Sequence, residues 1–108
     1  MAFGEKFKKD VLARLDRAEA TIHGYEFTAM RDLIEKQGAV LTAKRVLDIN
    51  YVAQLQSGLE KLAQHDLLDC SIEQAVIDHE ASGEFTAEEI DVAKTRLMIM
   101  RRKMSRRS

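Results

Sequence analysis

Proline is missing altogether from the 108 residues, tryptophan does not occur, glycine occurs five times and cysteine once. Each shortage excludes something. Without proline, no stretch contains the residue that lacks an N–H and clashes with the preceding helical turn, and few glycines mean few places where helices stop. The single cysteine, Cys70, rules out an intramolecular disulfide and fits a reducing compartment. The longest apolar run, Leu97 to Met100, is far below the roughly 20 residues that span a bilayer. Lys6, Lys8 and Lys9 near the N-terminus have no apolar block after them, so they do not read as a signal peptide. A cytoplasmic protein with no membrane partner is expected.

What is there suits one folded domain. Hydrophobic residues make up 45% and charged residues 32% of the chain, which argues against disorder at a length sufficient for a real core. The net charge of −1 conceals a polarised layout. Every ionised side chain from Asp66 to Asp91 is acidic, and every one from Lys94 to the end is basic. Acids near a helix start and bases near its end offset the macrodipole, but the segregation is longer than that effect needs.

The apolar spacing predicts an all-α fold, a compact bundle of about six helices with a helix-turn-helix-like centre. Phe7, Val11, Leu15, Ala18 and Ile22 mark the stripe of a first helix over 5–23, ended by Gly24. A second helix over 27–37 carries Phe27, Met30, Leu33 and Ile34, with Gly38 at its C-terminal cap. Thr42 is expected to cap a short third helix reaching Asp48. The fourth, over 51–64, presents Val52, Leu55, Leu59 and Leu62 on one face. Ser71 to Gln74 reads as a capping box opening a fifth helix that ends near Glu80. Thr86 to Glu89 reads as a second box, flanked by Phe85 and Ile90 at the staple positions, opening a sixth helix over 87–103. The domain should occupy 1–104, and the basic end, 105–108, has nothing apolar to bury and should fray. Leu55, Leu59, Leu62, Leu67, Ile72 and Ile77 are the expected core of the central region.

No catalytic or metal-binding constellation stands out. His23, His65 and His79 form no ligand pair at helical spacing, and His65 with Cys70 supplies two of the four groups a zinc ion needs. Cys70 reads as a buried small hydrophobe. Glu88 and Glu89 are explained by capping and Asp66 and Asp69 by turn solvation, with no partner base or glycine-rich phosphate loop nearby. Neither an enzyme, a cofactor nor a small-molecule substrate is expected.

Two surfaces suggest binding. The first is a possible nucleic-acid contact made of Lys44, Arg45, Asn50, Tyr51, Gln54, Ser57 and Lys61, in which Asn and Gln suit adenine, Lys and Arg suit phosphate, and Glu60 repels it. Residues 42–64 would then be the DNA-reading unit of a small regulator, although a plain helical hairpin gives the same spacing. The second is a possible partner or self-association surface made of Leu97, Met98, Met100, Arg101, Arg102 and Met104. Either the first helix covers those apolar residues, or a second copy does so by antiparallel pairing that sets the basic end of one sixth helix beside the acidic start of the other.

Several blocks occur in an order that resembles a family of small uncharacterised bacterial proteins. They are Gly38-Ala39-Val40 with Thr42-Ala43-Lys44-Arg45-Val46-Leu47, then Gly58-Leu59 with Leu62, then Leu68-Asp69 with Ser71-Ile72-Glu73, and finally Phe85-Thr86 with Glu88-Glu89. Cys70 and Ala39 depart from the family's pattern, which has Leu and a second Gly there. The family carries no established activity, so the resemblance implies the domain and not a mechanism. The leading expectation is a non-enzymatic interaction or adaptor-type regulatory module, with an unknown protein partner or a homodimer; the alternative is DNA binding.

Overall fold

A computed structural model describes residues 2–48 and 53–107, with 53–57 and 107 described by backbone alone. These residues form an all-α bundle of six helices: α1 (Phe3–Thr21), α2 (Thr28–Gln37), α3 (Ala39–Val46), α4 (Ala53–Gln64), α5 (Ile72–Asp78) and α6 (Ala87–Arg107). Short 3-10 turns, Leu68–Cys70 and Glu80–Ser82, flank α5.

The α1 stripe is buried along its whole length, from Phe7 through Val11, Leu15 and Ala18 to Ile22. This face meets α3, α5 and the turn at Leu68–Cys70. At the N-terminal end Phe3, Phe7, His79 and Phe85 form an aromatic cluster, with the Phe7 and Phe85 centroids 5.1 Å apart. On the opposite flank Arg14 bonds Asp10, Asp78 and the Asp69 carbonyl, and His79 Nε2 lies 2.8 Å from Asp10. These contacts tie α1 to both ends of α5.

The third helix begins earlier than expected. Thr42 is not its cap but a fully buried residue of its second turn. Gly38, at φ 86° and ψ 160°, ends α2 by donating its N–H to the Ile34 carbonyl at 2.8 Å. Its own carbonyl accepts from both the N–H and the hydroxyl of Thr42, at 3.1 and 2.7 Å. A positive φ is cheap for glycine, so one residue turns the corner and α3 starts at Ala39.

Helix α4 stops at a Schellman arrangement: Leu67 N–H donates to the Leu62 carbonyl and Asp66 N–H to that of Ala63. The left-handed position in it is held by Asp66, at φ 57°, rather than by glycine. The Ser71 box is half made. Ser71 Oγ accepts from Gln74 N–H at 3.0 Å, while the Gln74 side chain donates to Asp78 instead of returning. The return is not needed, because Ser71 N–H already donates to the Leu68 carbonyl. The Thr86 box is complete, with Glu89 N–H donating to Thr86 Oγ1 at 3.0 Å and Thr86 N–H to Glu89 Oε1 at 2.9 Å. Its staple residues Phe85 and Ile90 are both buried.

Helix α5 ends at Asp78, two residues before the expected limit, and α6 continues to Arg107 through residues expected to fray. Met, Lys and Arg propagate a helix well, and the terminal bases favour its C-terminal dipole. Of the central core, Leu59, Leu62 and Ile72 are buried, Leu67 and Ile77 are half-buried, and the Leu55 side chain lies outside the description.

Candidate interaction surfaces

Helix α6 packs mainly on α5 and on α4, not on α1 as the intramolecular alternative expected. The reason is that the α1 face is already filled by α3, α5 and the turn before α5. Ala93 and Leu97 point into the bundle, Leu97 being only 1% exposed. Lys103 pairs with Glu60 of α4 at 3.0 Å, which anchors the far end of α6. Leu97 is therefore core rather than surface, and Met100 and Met104 are half-buried.

The solvent side of α6 is formed by Asp91, Lys94, Thr95, Met98, Ile99, Arg101, Arg102 and Arg106. Met98 is 44% exposed and Ile99 54%. The sequence reading chose Met98, Arg101 and Arg102 for this surface but missed Ile99. An uninterrupted run from Leu97 to Met100 cannot lie on one helical face, and that was the available signal.

The nucleic-acid set is dispersed by its contacts. Lys44 Nζ lies 2.8 Å from Glu89 Oε1, the oxygen that also caps α6, and 5.4 Å from the centre of the Phe85 ring. Lys61 stands over the Tyr25 ring at 5.4 Å. Arg45 is exposed. Asn50 and Tyr51, with the side chains of Gln54 and Ser57, fall outside the described residues, as does the turn of the expected helix-turn-helix.

A buried polar pair joins the last two helices. Glu73 is 5% exposed, and Arg96 Nη1 lies 3.8 Å from its Oε2. Burial pushes the Glu73 carboxyl above its ordinary range, against the opposing pull of its own backbone N–H and of Arg96. The Arg96 guanidinium also donates to the carbonyls of Val46 and Asp48, closing the C-terminal end of α3. Sequence reasoning missed both roles. Their signal was positional: Glu73 sits among Ile72, Ala75 and Val76, and Arg96 sits between Ala93 and Leu97 on the inner stripe of α6.

Cys70 is buried, and Arg17 Nε and Nη2 each lie 3.2 Å from its Sγ. Among the described residues no group of three His, Cys, Asp or Glu side chains is arranged to hold a metal ion, and no helix is long and apolar enough to cross a membrane. No family model matches the chain, and neither a curated protein nor a solved structure is significantly similar to it.

Proposed function

We propose that this chain is a non-enzymatic interaction module of the cytoplasm, an adaptor-type regulator that pairs with a second copy through the outer face of α6. The observation that carries this reading is the exposure of Met98 and Ile99 near the middle of a 21-residue helix whose start is acidic and whose end is basic. An antiparallel pair related by a two-fold axis near these residues brings Met98 and Ile99 together across the axis. It sets Arg102 and Arg106 of one copy beside the acidic first turns of the other, where Glu88 and Asp91 lie. Met98 suits the contact because its thioether adapts to an irregular partner. The engagement of Lys44 by Glu89 and of Lys61 by Tyr25 favours this reading over DNA binding, which needs its cations free for phosphate.

Sedimentation equilibrium on the intact protein and on Met98→Glu with Ile99→Glu tests it. A dimer that the double variant splits, with helicity retained, supports the pairing, whereas an intact protein monomeric at tens of micromolar overturns it. Salt-dependent retention on a nonspecific DNA column, weakened by Arg45→Ala, favours the DNA-binding alternative instead.

A further inference from the structure

A pocket of about 140 Å³ opens between the segment before α2 and the edge where α4 meets α5. Its walls include Tyr25, Phe27, Met30, Leu59 and Leu62, and its polar groups include the Glu73 side chain and Ser71. A dry cavity of about 150 Å³ accommodates one benzene-sized ring, so the space suits a single ring and not a longer chain.

The charge of the lining is one-sided. Glu26 and Glu73 line the pocket, and no Lys, Arg or His does so among the described residues. Glu73 is the more informative of the two because it is a buried carboxyl whose nearest described cation, Arg96, stands off at 3.8 Å. The Arg96 donors are committed to the carbonyls of Val46 and Asp48. Buried charge at that distance is incompletely compensated, which leaves Glu73 able to accept from an entering donor. The aromatic wall is also suited to a cation: Tyr25 and Phe27 meet edge to face at 4.9 Å, and Lys61 already stands against the Tyr25 ring.

We propose that this pocket binds a small organic cation, an ammonium group carried on a single apolar ring. The ring lies against Phe27, Leu59 and Leu62, and the ammonium donates to the Glu73 carboxylate. An anion of the same shape is excluded by the two acids, and a neutral alcohol of the same shape gains the apolar contact without the ion pair. This site is separate from the outer face of α6 and does not rest on the pairing proposed above.

Benzylammonium, benzyl alcohol and benzoate are the probes, followed by chemical-shift changes at Phe27, Leu59, Leu62 and Ile72 in the intact protein. Benzylammonium is expected to bind about tenfold more tightly than benzyl alcohol, and benzoate not at all. Glu73→Gln, nearly isosteric, is expected to bring benzylammonium down to the level of benzyl alcohol while leaving the alcohol unchanged. Gly58→Ala is an independent variant, since a Cβ there stands 3.7 Å from the Phe27 ring in ordinary contact and narrows the pocket without crowding. It is expected to weaken benzylammonium binding. Equal affinity for amine and alcohol, or an amine preference that survives Glu73→Gln, overturns the cation assignment. No shift with any probe at tens of millimolar overturns the site itself.

Discussion

Lys44 of α3 and Glu89 of α6 meet at 2.8 Å, through the same carboxylate oxygen that accepts the N–H of Thr86. One oxygen thus serves the start of α6 and its attachment to α3. Glu89 is mostly covered, and burial raises its carboxyl, but the Lys44 ammonium and the Thr86 N–H outweigh that and hold it below the usual range. Glu89→Ala removes both roles and should cost about 1 to 2 kcal/mol, the range for loss of a helix cap. Lys44→Ala should cost less. Urea denaturation of the two variants checks the order, and equal losses would mean that the cap contributes nothing beyond the ion pair.

Acid should destabilise the protein through four carboxyls. Hydrogen bonding to Arg31 chiefly lowers Glu19; for Asp10, Asp78 and Glu89 burial raises the carboxyl, and bonds to Arg14, His79, Gln74, Lys44 and Thr86 more than compensate. A carboxyl lowered on folding contributes stability above its unfolded value, near 4, and loses that contribution as pH falls through its folded value. Glu73 has the opposite sign. Its folded carboxyl is raised, so its ionisation costs stability as pH climbs through the folded value. The stability of Glu73→Gln relative to the natural chain should therefore improve between pH 4 and pH 7, values that bracket the ordinary carboxyl range from about 4 upward. Melting temperatures across that interval read the slope, and a relative stability that falls with pH contradicts the assignment.

Asp66 occupies the left-handed position after α4 that glycine fills more cheaply. Asp66→Gly should stabilise the fold by up to about 1 kcal/mol, since Asp66 is exposed and the Schellman bonds are made by backbone. A raised urea midpoint at constant slope is the expected outcome.

Leu59→Ala removes a side chain that is 4% exposed and should cost about 2 to 5 kcal/mol. A midpoint unchanged by the truncation would mean that α4 does not lie on the bundle as described.

Periodicity was a good guide where one face of a helix is wholly covered. The α1 stripe and the buried faces of α4, α5 and α6 were readable from three-four spacing, and the Thr86 box with its staple marked the start of α6 to the residue. Local pattern was weaker at junctions. Thr42 has the chemistry of a cap, but the conformation of Gly38 decides where α3 begins, and a glycine preceded by one helix and followed by another can end the first, start the second, or do both. The long-range polar contacts were not legible at all. That Lys44 would reach Glu89, or Arg17 the sulfur of Cys70, depends on how helices cross, which spacing within one helix does not encode.

Arg96 closes the end of α3 from 50 residues downstream. At roughly 5 to 20 residues per second of synthesis, the α3 carbonyls wait several seconds for their donor. During that interval the first half of the chain has formed helices whose last turn is answered only by water. Docking of α6 therefore acts as a completion step, so the order of synthesis makes the molecule fasten from its final helix backward, and any truncation before Arg96 leaves the α3 corner permanently unlatched.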